Sequence, residues 1–276
     1  MDPLRESVGS ILRDAGRGAA WPRPFFVILG RLSNSIASTL ARLGNGVRRI
    51  AAGLPRSEEA VWPGVRNDLF LAHESVYRFY AGLVQGQRVL DAACGTGYGS
   101  HLLATANAAD VLGVDISRRR IAYANRHFRL ANLSYYVGDC HDLQLPPASR
   151  DVIVSSNTLE HLARPVDFLR EAQRILTPAG LLAVTVPPVL SEADLQVHAN
   201  NRFHSSPLSI RAWADLFSAN GWVVEFRGHY SAVPIDFSSP HPSTVSLSAF
   251  SFEPCSVEDA YVRPPISATY LLRRAA

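Results

Sequence analysis

The chain has 276 residues, 47% hydrophobic and 18% charged, with a formal net charge of +3, enough for one large α/β domain and an appendage. No apolar run approaches the roughly 18 residues that span a bilayer, and so small a net charge does not by itself indicate a nucleic-acid partner. All 27 basic residues are arginine, which excludes any lysine Schiff base or lysine general base. Cys94, Cys140 and Cys255 show neither metal-ligand spacing nor an even framework. They point to a reducing, cytoplasmic compartment.

Residues 1–60 form an extension rich in Arg, Gly and Ala. Its apolar residues Phe26, Leu29, Leu32, Ile36, Leu40, Leu43, Val47, Ile50 and Leu54 recur at steps of three or four, a helical stripe. Between Asp14 and Glu58 there are seven arginines and no acidic residue. A basic amphipathic segment over 25–54 suits packing on the remaining chain, self-association, or an anionic membrane surface. An organelle leader is a further reading, which Asp2 and Glu6 oppose.

Residues 61–276 read as one domain of alternating strands and helices. The periodicity predicts a helix over 67–84, a strand ending at Asp91, and a helix through Leu102 and Leu103. A second strand, 110–115, precedes a helix capped by Ser117. Strands follow at 135–137 and 151–154, then a helix over 165–176 with proline in its first turn. A strand over 180–186, a helix over 207–220 and strands over 222–226 and 268–272 complete the pattern. Such alternation implies a mainly parallel, doubly wound sheet. The interval 228–265 is expected to cover one end of it.

The sharpest local signal is Val89-Leu-Asp-Ala-Ala-Cys-Gly-Thr-Gly-Tyr-Gly99. Glycines at a strand end let backbone approach a ligand, and the following helix offers free N–H groups. Dinucleotide sites use the same device, but here an acidic residue, Asp91, precedes the glycines. A carboxylate there suits a cationic amino group better than a pyrophosphate. Asp115, ending the second strand, is placed to accept from a ribose diol. Asp139, after the third strand, sits where an adenine amine would be read. Three carboxylates on successive strand ends favour a neutral or cationic adenosine ligand.

These segments resemble class I S-adenosylmethionine-dependent methyltransferases. Asp91 through Gly99 is similar to their first motif, Gly113-Val-Asp-Ile-Ser117 to the second, and Gly138-Asp-Cys140 through Pro146 to the third. The segment 151–162, with Asn-Thr-Leu-Glu-His-Leu at its end, followed by 168–178, resembles their fourth strand and next helix. The likeness is densest over 68–190, looser over 200–226, and leans to the small-molecule and glycan branch. Asn157 and Ala179 depart from that branch's usual residues. The resemblance implies a seven-stranded Rossmann-like sheet with the last strand antiparallel between the fifth and sixth. It implies S-adenosyl-L-methionine as donor, held by Tyr77, Asp91, Ala92, Gly95, Gly97, Asp115, Ile116, Asp139, Cys140 and Asn157. The helix over 67–84 would lid the donor, with Tyr77 and Arg78 reaching its carboxylate.

Methyl transfer is an in-line displacement, for which positioning supplies much of the rate. The acceptor expected from the resemblance is a small molecule, a sugar or a lipid-linked glycan, methylated on oxygen or nitrogen. A hydroxyl acceptor would need a general base. His161, just past the fourth strand, is the first candidate, with Glu160 beside it; His198 and His204 are candidates on the loop after the fifth strand. The other six histidines, at 73, 101, 127, 141, 229 and 241, have no motif behind them and read as structural. Methyl transfer needs no metal, and no ligand cluster in the sequence compels one. A nicotinamide-dependent oxidoreductase is disfavoured by Asp91. A non-catalytic scaffold docking through the basic helix would not need its donor motifs. A nucleic-acid methyltransferase would want a different element than Ser155-Ser-Asn-Thr158, so no nucleic acid is expected.

Overall fold

The computed structural model describes residues 61 and 63–275; the stripe over 25–54 lies outside them. The helices are α1 Asp68–Ala81, α2 Tyr98–Thr105, α3 Arg118–His127, α4 Pro165–Ile175, α5 Glu192–Ala199, α6 Ile210–Ala219 and α7 Val257–Val262. The strands are β1 Arg88–Ala92, β2 Asp110–Asp115, β3 Leu133–Val137, β4 Arg150–Ser156, β5 Leu176–Val186, β6 Trp222–Ser231, β7 Phe250–Pro254 and β8 Ser267–Arg274. They join in one eight-stranded sheet of order β3-β2-β1-β4-β5-β8-β6-β7.

β1 to β5 run parallel, and β8 pairs antiparallel with both β5 and β6. The expected inverted strand is therefore present, but the strand count of seven is corrected to eight. The added strand is β7, which pairs antiparallel with β6 at the sheet's edge. It falls within the interval expected to cover the sheet.

Successive residues of the central strands face opposite layers, so both faces must be apolar. On one face Leu90, Ile153, Leu182 and Val184 pack with Phe168 and Leu169 of α4 and with Trp213 and Phe217 of α6. On the other, Val89, Val152, Val154 and Leu181 pack with Val76, Tyr77 and Tyr80 of α1 and with Leu103 of α2. The helix ends are locally specified. Asn67 accepts from the Phe70 N–H at 3.0 Å and donates to the Ser239 carbonyl at 2.9 Å, so one side chain caps α1 and ties the segment after β6 to it. Ser191 and Ser256 open α5 and α7 with capping boxes closed by Asp194 and Asp259.

Strand order reverses between β1 and β4, whose carboxyl ends therefore border a crevice between diverging crossovers. No helix among the described residues is long and apolar enough to cross a membrane.

Candidate active site

The turn between β1 and α2 builds one side of the crevice. Gly95 and Gly97 have φ of 58° and 85°, a left-handed region that glycine enters without a Cβ penalty. Their surroundings differ. A Cβ at Gly95 would meet nothing within 4 Å, whereas one at Gly97 would lie 2.6 Å from Ala124 and 2.8 Å from Tyr135. The backbone at Gly95 thus faces open space while Gly97 is packed against α3 and β3. Ala93 also sits at φ 63°, a conformation costing a residue with a Cβ about 1–2 kcal/mol.

Asp91 is fully buried at the end of β1. Its carboxylate accepts from Tyr77 Oη at 3.1 Å and Ser100 Oγ at 2.6 Å. Burial pushes its pKa up to about 7 despite these two hydrogen bonds. Asp115 is buried at the end of β2, accepting from the Gly95 N–H at 2.9 Å and the Ser117 N–H at 2.8 Å. One carboxylate therefore shapes the glycine turn and starts α3. Ile116 beside it is 70% exposed, an apolar side chain left uncovered.

Asp139 is half-exposed and accepts from the backbone N–H of His141 at 2.9 Å. Burial pulls its pKa up, but the hydrogen bonds from His141 outweigh that and hold it below the usual carboxylate range. Cys140 is buried, its thiol pushed up to about 12 chiefly by desolvation, so it is a packing residue at neutral pH. Ala92 is wholly buried. Tyr77 lies with its ring over Gly99, where a Cβ would fall 2.2 Å from it. Arg78 instead donates to Glu74 at 2.8 and 2.9 Å, and Arg66 reaches the same carboxylate at 2.7 Å.

Beyond the turn lies a cavity of about 520 Å³ between α1, α5 and the ends of β4 and β5. Leu69, Val76, Pro187, Pro188, Val197 and Phe237 make it largely apolar, and His73, Asn157 and His198 are among its polar walls. Asn157 has φ 48° and its amide lies 3.4 Å from His73 Nδ1. Burial drives the pKa of His73 down to about 4, so its ring is neutral at pH 7. His229, driven to about 3, is bracketed by Ser75 Oγ at 2.9 Å and Ser267 Oγ at 2.7 Å.

Of the three expected histidines, His198 lines this cavity. His204 stands behind it, Nδ1 to Nδ1 at 3.0 Å, and His161 packs edge-on to His204. His73 and His229, both read from the chain as structural, border this cavity. The i, i+4 spacing of His73 to Tyr77 sets both on one helix face, which does not by itself separate a cavity wall from a core. Folding also gathers Glu160, His161 and His204 with ligand atoms within 4.8 Å of one another, a grouping that linear spacing does not show.

Known proteins share parts of this sequence and this fold. Residues 90–184 match the methyltransferase domain family. A probable S-adenosylmethionine-dependent methyltransferase of Mycolicibacterium smegmatis is 31% identical over 185 residues, 66% of this chain and 71% of the relative. A fatty-acid O-methyltransferase of the same organism is 33% identical over 103 residues, 37% of this chain and 38% of that protein. A solved S-adenosylmethionine-dependent methyltransferase of Thermotoga maritima aligns with TM-score 0.58 and 18% identity, over 84% of this chain and 98% of its own.

Proposed function

Because the chain belongs to the class I S-adenosylmethionine-dependent methyltransferases, we propose that it methylates an apolar small molecule held between α1 and α5. The observation that carries the choice of acceptor is the cavity of about 520 Å³, apolar on most sides with a few imidazoles in its wall. Such lining gains binding free energy from an alkyl or aromatic body and leaves few partners for a polyhydroxylated sugar. The relative named for fatty-acid O-methylation supports the same class of acceptor.

The open backbone at Gly95, with Gly97 starting α2, suits the donor's methionine portion. We assign Asp115 to the ribose, Ile116 to the adenine face and Asp139 with Cys140 to the adenine edge. Ala92 and Asn157 shape the floor between donor and acceptor. Asp91, screened by Tyr77, faces the amino group. When bound, the donor supplies an electrophilic methyl group on a sulfonium. The protein's part is then to align the acceptor, exclude water and accept a proton when the acceptor is a hydroxyl or carboxylic acid. α1 links these tasks, since Tyr77 bonds Asp91 while His73, one turn earlier, faces the cavity. His73 and His198 are the bases placed to meet the acceptor; His161 and His204 stand behind His198.

The test is a donor-dependent methylation screen over fatty acids, long-chain alcohols, phenols, sugars and lipid-linked glycans. Turnover of apolar acids, alcohols or phenols is expected. Turnover confined to free sugars would overturn the acceptor class, and failure to bind the labelled donor would overturn the donor assignment.

A further inference from the structure

We infer that Glu160, His161 and His204 form a site for one divalent transition-metal ion of zinc-like preference, beside the cavity and independent of the methyl donor. The residues come from two places. Glu160 and His161 lie on the 3-10 turn Leu159–His161 that follows β4, and His204 on the loop after α5. That loop is fastened to the turn, because the Ser206 N–H donates to the Glu160 carbonyl at 2.9 Å and Ser206 Oγ to the Leu162 carbonyl at 2.8 Å.

The proton positions favour ligation. His161 Nδ1 is 2.9 Å from the Phe203 carbonyl oxygen. A carbonyl only accepts, so Nδ1 carries the hydrogen and the neutral ring keeps its lone pair on Nε2. That atom lies 3.8 Å from Glu160 Oε1. An imidazole whose other nitrogen donates to a backbone carbonyl is the usual arrangement of a metal-bound histidine, fixing both ring and tautomer. His204 is paired with a second imidazole, its Nδ1 lying 3.0 Å from His198 Nδ1; an ion on its Nε2 would leave Nδ1 to donate.

Two imidazole nitrogens and one carboxylate oxygen suit zinc and its first-row neighbours rather than magnesium or calcium, and leave a fourth position open. Ligand atoms on a tetrahedral zinc stand about 3.3 Å apart. The ligand atoms of the three groups lie within 4.8 Å of one another, and would draw together on a bound ion. The Glu160 side chain is 4% exposed and His161 30%, so the centre has a buried anionic side and an accessible one. A bound ion would set the tautomer of His204 and, through it, the ring of His198 in the cavity wall.

The experiment uses the untagged full chain, stripped with a chelator and titrated with zinc chloride by calorimetry. Cobalt(II) absorption reads the ligand geometry. One ion per chain is expected, with tetrahedral cobalt bands and no magnesium binding. His161→Gln and His204→Gln should each weaken zinc at least tenfold, while His241→Gln, on an exposed loop, should leave it unchanged. Absence of saturable zinc binding, or equal affinity in the His161→Gln/His204→Gln double variant, would overturn the site. Circular dichroism checks folding; if the variants do not fold, octahedral or absent cobalt bands in the unaltered chain overturn it instead. Donor binding is titrated separately, so zinc uptake without donor binding would sink the methyltransferase assignment of this chain's crevice and not the metal site.

Discussion

Asp91, wholly enclosed at the end of β1, and His73, in the cavity wall, are both ionisable groups whose desolvation favours the neutral form. For Asp91 the consequence is a proton count. With its pKa raised to about 7 by burial, the free protein carries the proton below neutrality. An ammonium group beside the carboxylate would favour ionisation and release it. Donor affinity should therefore rise with pH by up to about tenfold per unit below 7 and level off above. Calorimetry in buffers of different ionisation enthalpy would show proton release near pH 6, and Asp91→Asn should abolish it. A pH-independent affinity in the unaltered protein would remove Asp91 from the amino group. His73→Asn should lower turnover of a hydroxyl acceptor by about 100-fold or more with donor affinity unchanged. Turnover within threefold of the parent would assign the proton to His198 or to solvent. The carboxylates at the strand ends were legible in the chain because each closes an apolar run. His73 was not, since on a helix face a histidine in a wall and one in a core present the same spacing.

Among elements, the β1–α2 turn separates folding from binding through its two glycines. Gly97→Ala places a Cβ against Ala124 and Tyr135 at positive φ and should cost about 2 kcal/mol or more from overpacking and left-handed strain together. Gly95→Ala meets no neighbour, so its stability cost should stay near the 1–2 kcal/mol of backbone strain while donor affinity falls sharply. Urea unfolding and donor titration of the two variants read these separately; equal donor affinity in Gly95→Ala would place the donor elsewhere. The central strands were readable because burial on both faces leaves continuous apolar runs. β7 was not, being five residues at an edge with partial burial and a proline at its end. α5 has no buried residue and hence no apolar stripe; the only trace of it is Ser191 with Asp194 three residues on, a signal shared by Ser256 and Asp259 before α7. His198 in α5 and His204 on the loop after it could be named from the chain, but not the meeting of His204 with Glu160 and His161, which depends on how that loop returns to β4.

Over the whole molecule, titration and topology set how the fold responds to conditions. Unfolded, His73 and His229 take up protons near 6.5; folded, they refuse them down to about 4 and 3. Folding stability is thus lost as pH falls below 6.5. Asp91 acts in the opposite direction, because the folded chain keeps its proton up to about 7 and the unfolded chain loses it in the ordinary carboxylate range. Two imidazoles outweigh one carboxyl, so stability measured by urea should fall from pH 6.5 to 4.5, and His73→Asn/His229→Asn should reverse that slope. A rise in the parent over that interval would contradict the burial of the two rings.

The sheet order adds a constraint in time. β8 lies between β5 and β6, pairing Leu182 with Leu272 and Val224 with the same Leu272. As the chain leaves the ribosome, β1 to β5 can assemble in sequence, yet β6 and β7, which pair with each other, emerge with no strand to join them to β5. They must wait with open edges for a strand made later, and those edges are templates for pairing with other chains. Synthesis stalled before residue 267 would therefore leave a half-built sheet whose exposed border invites aggregation.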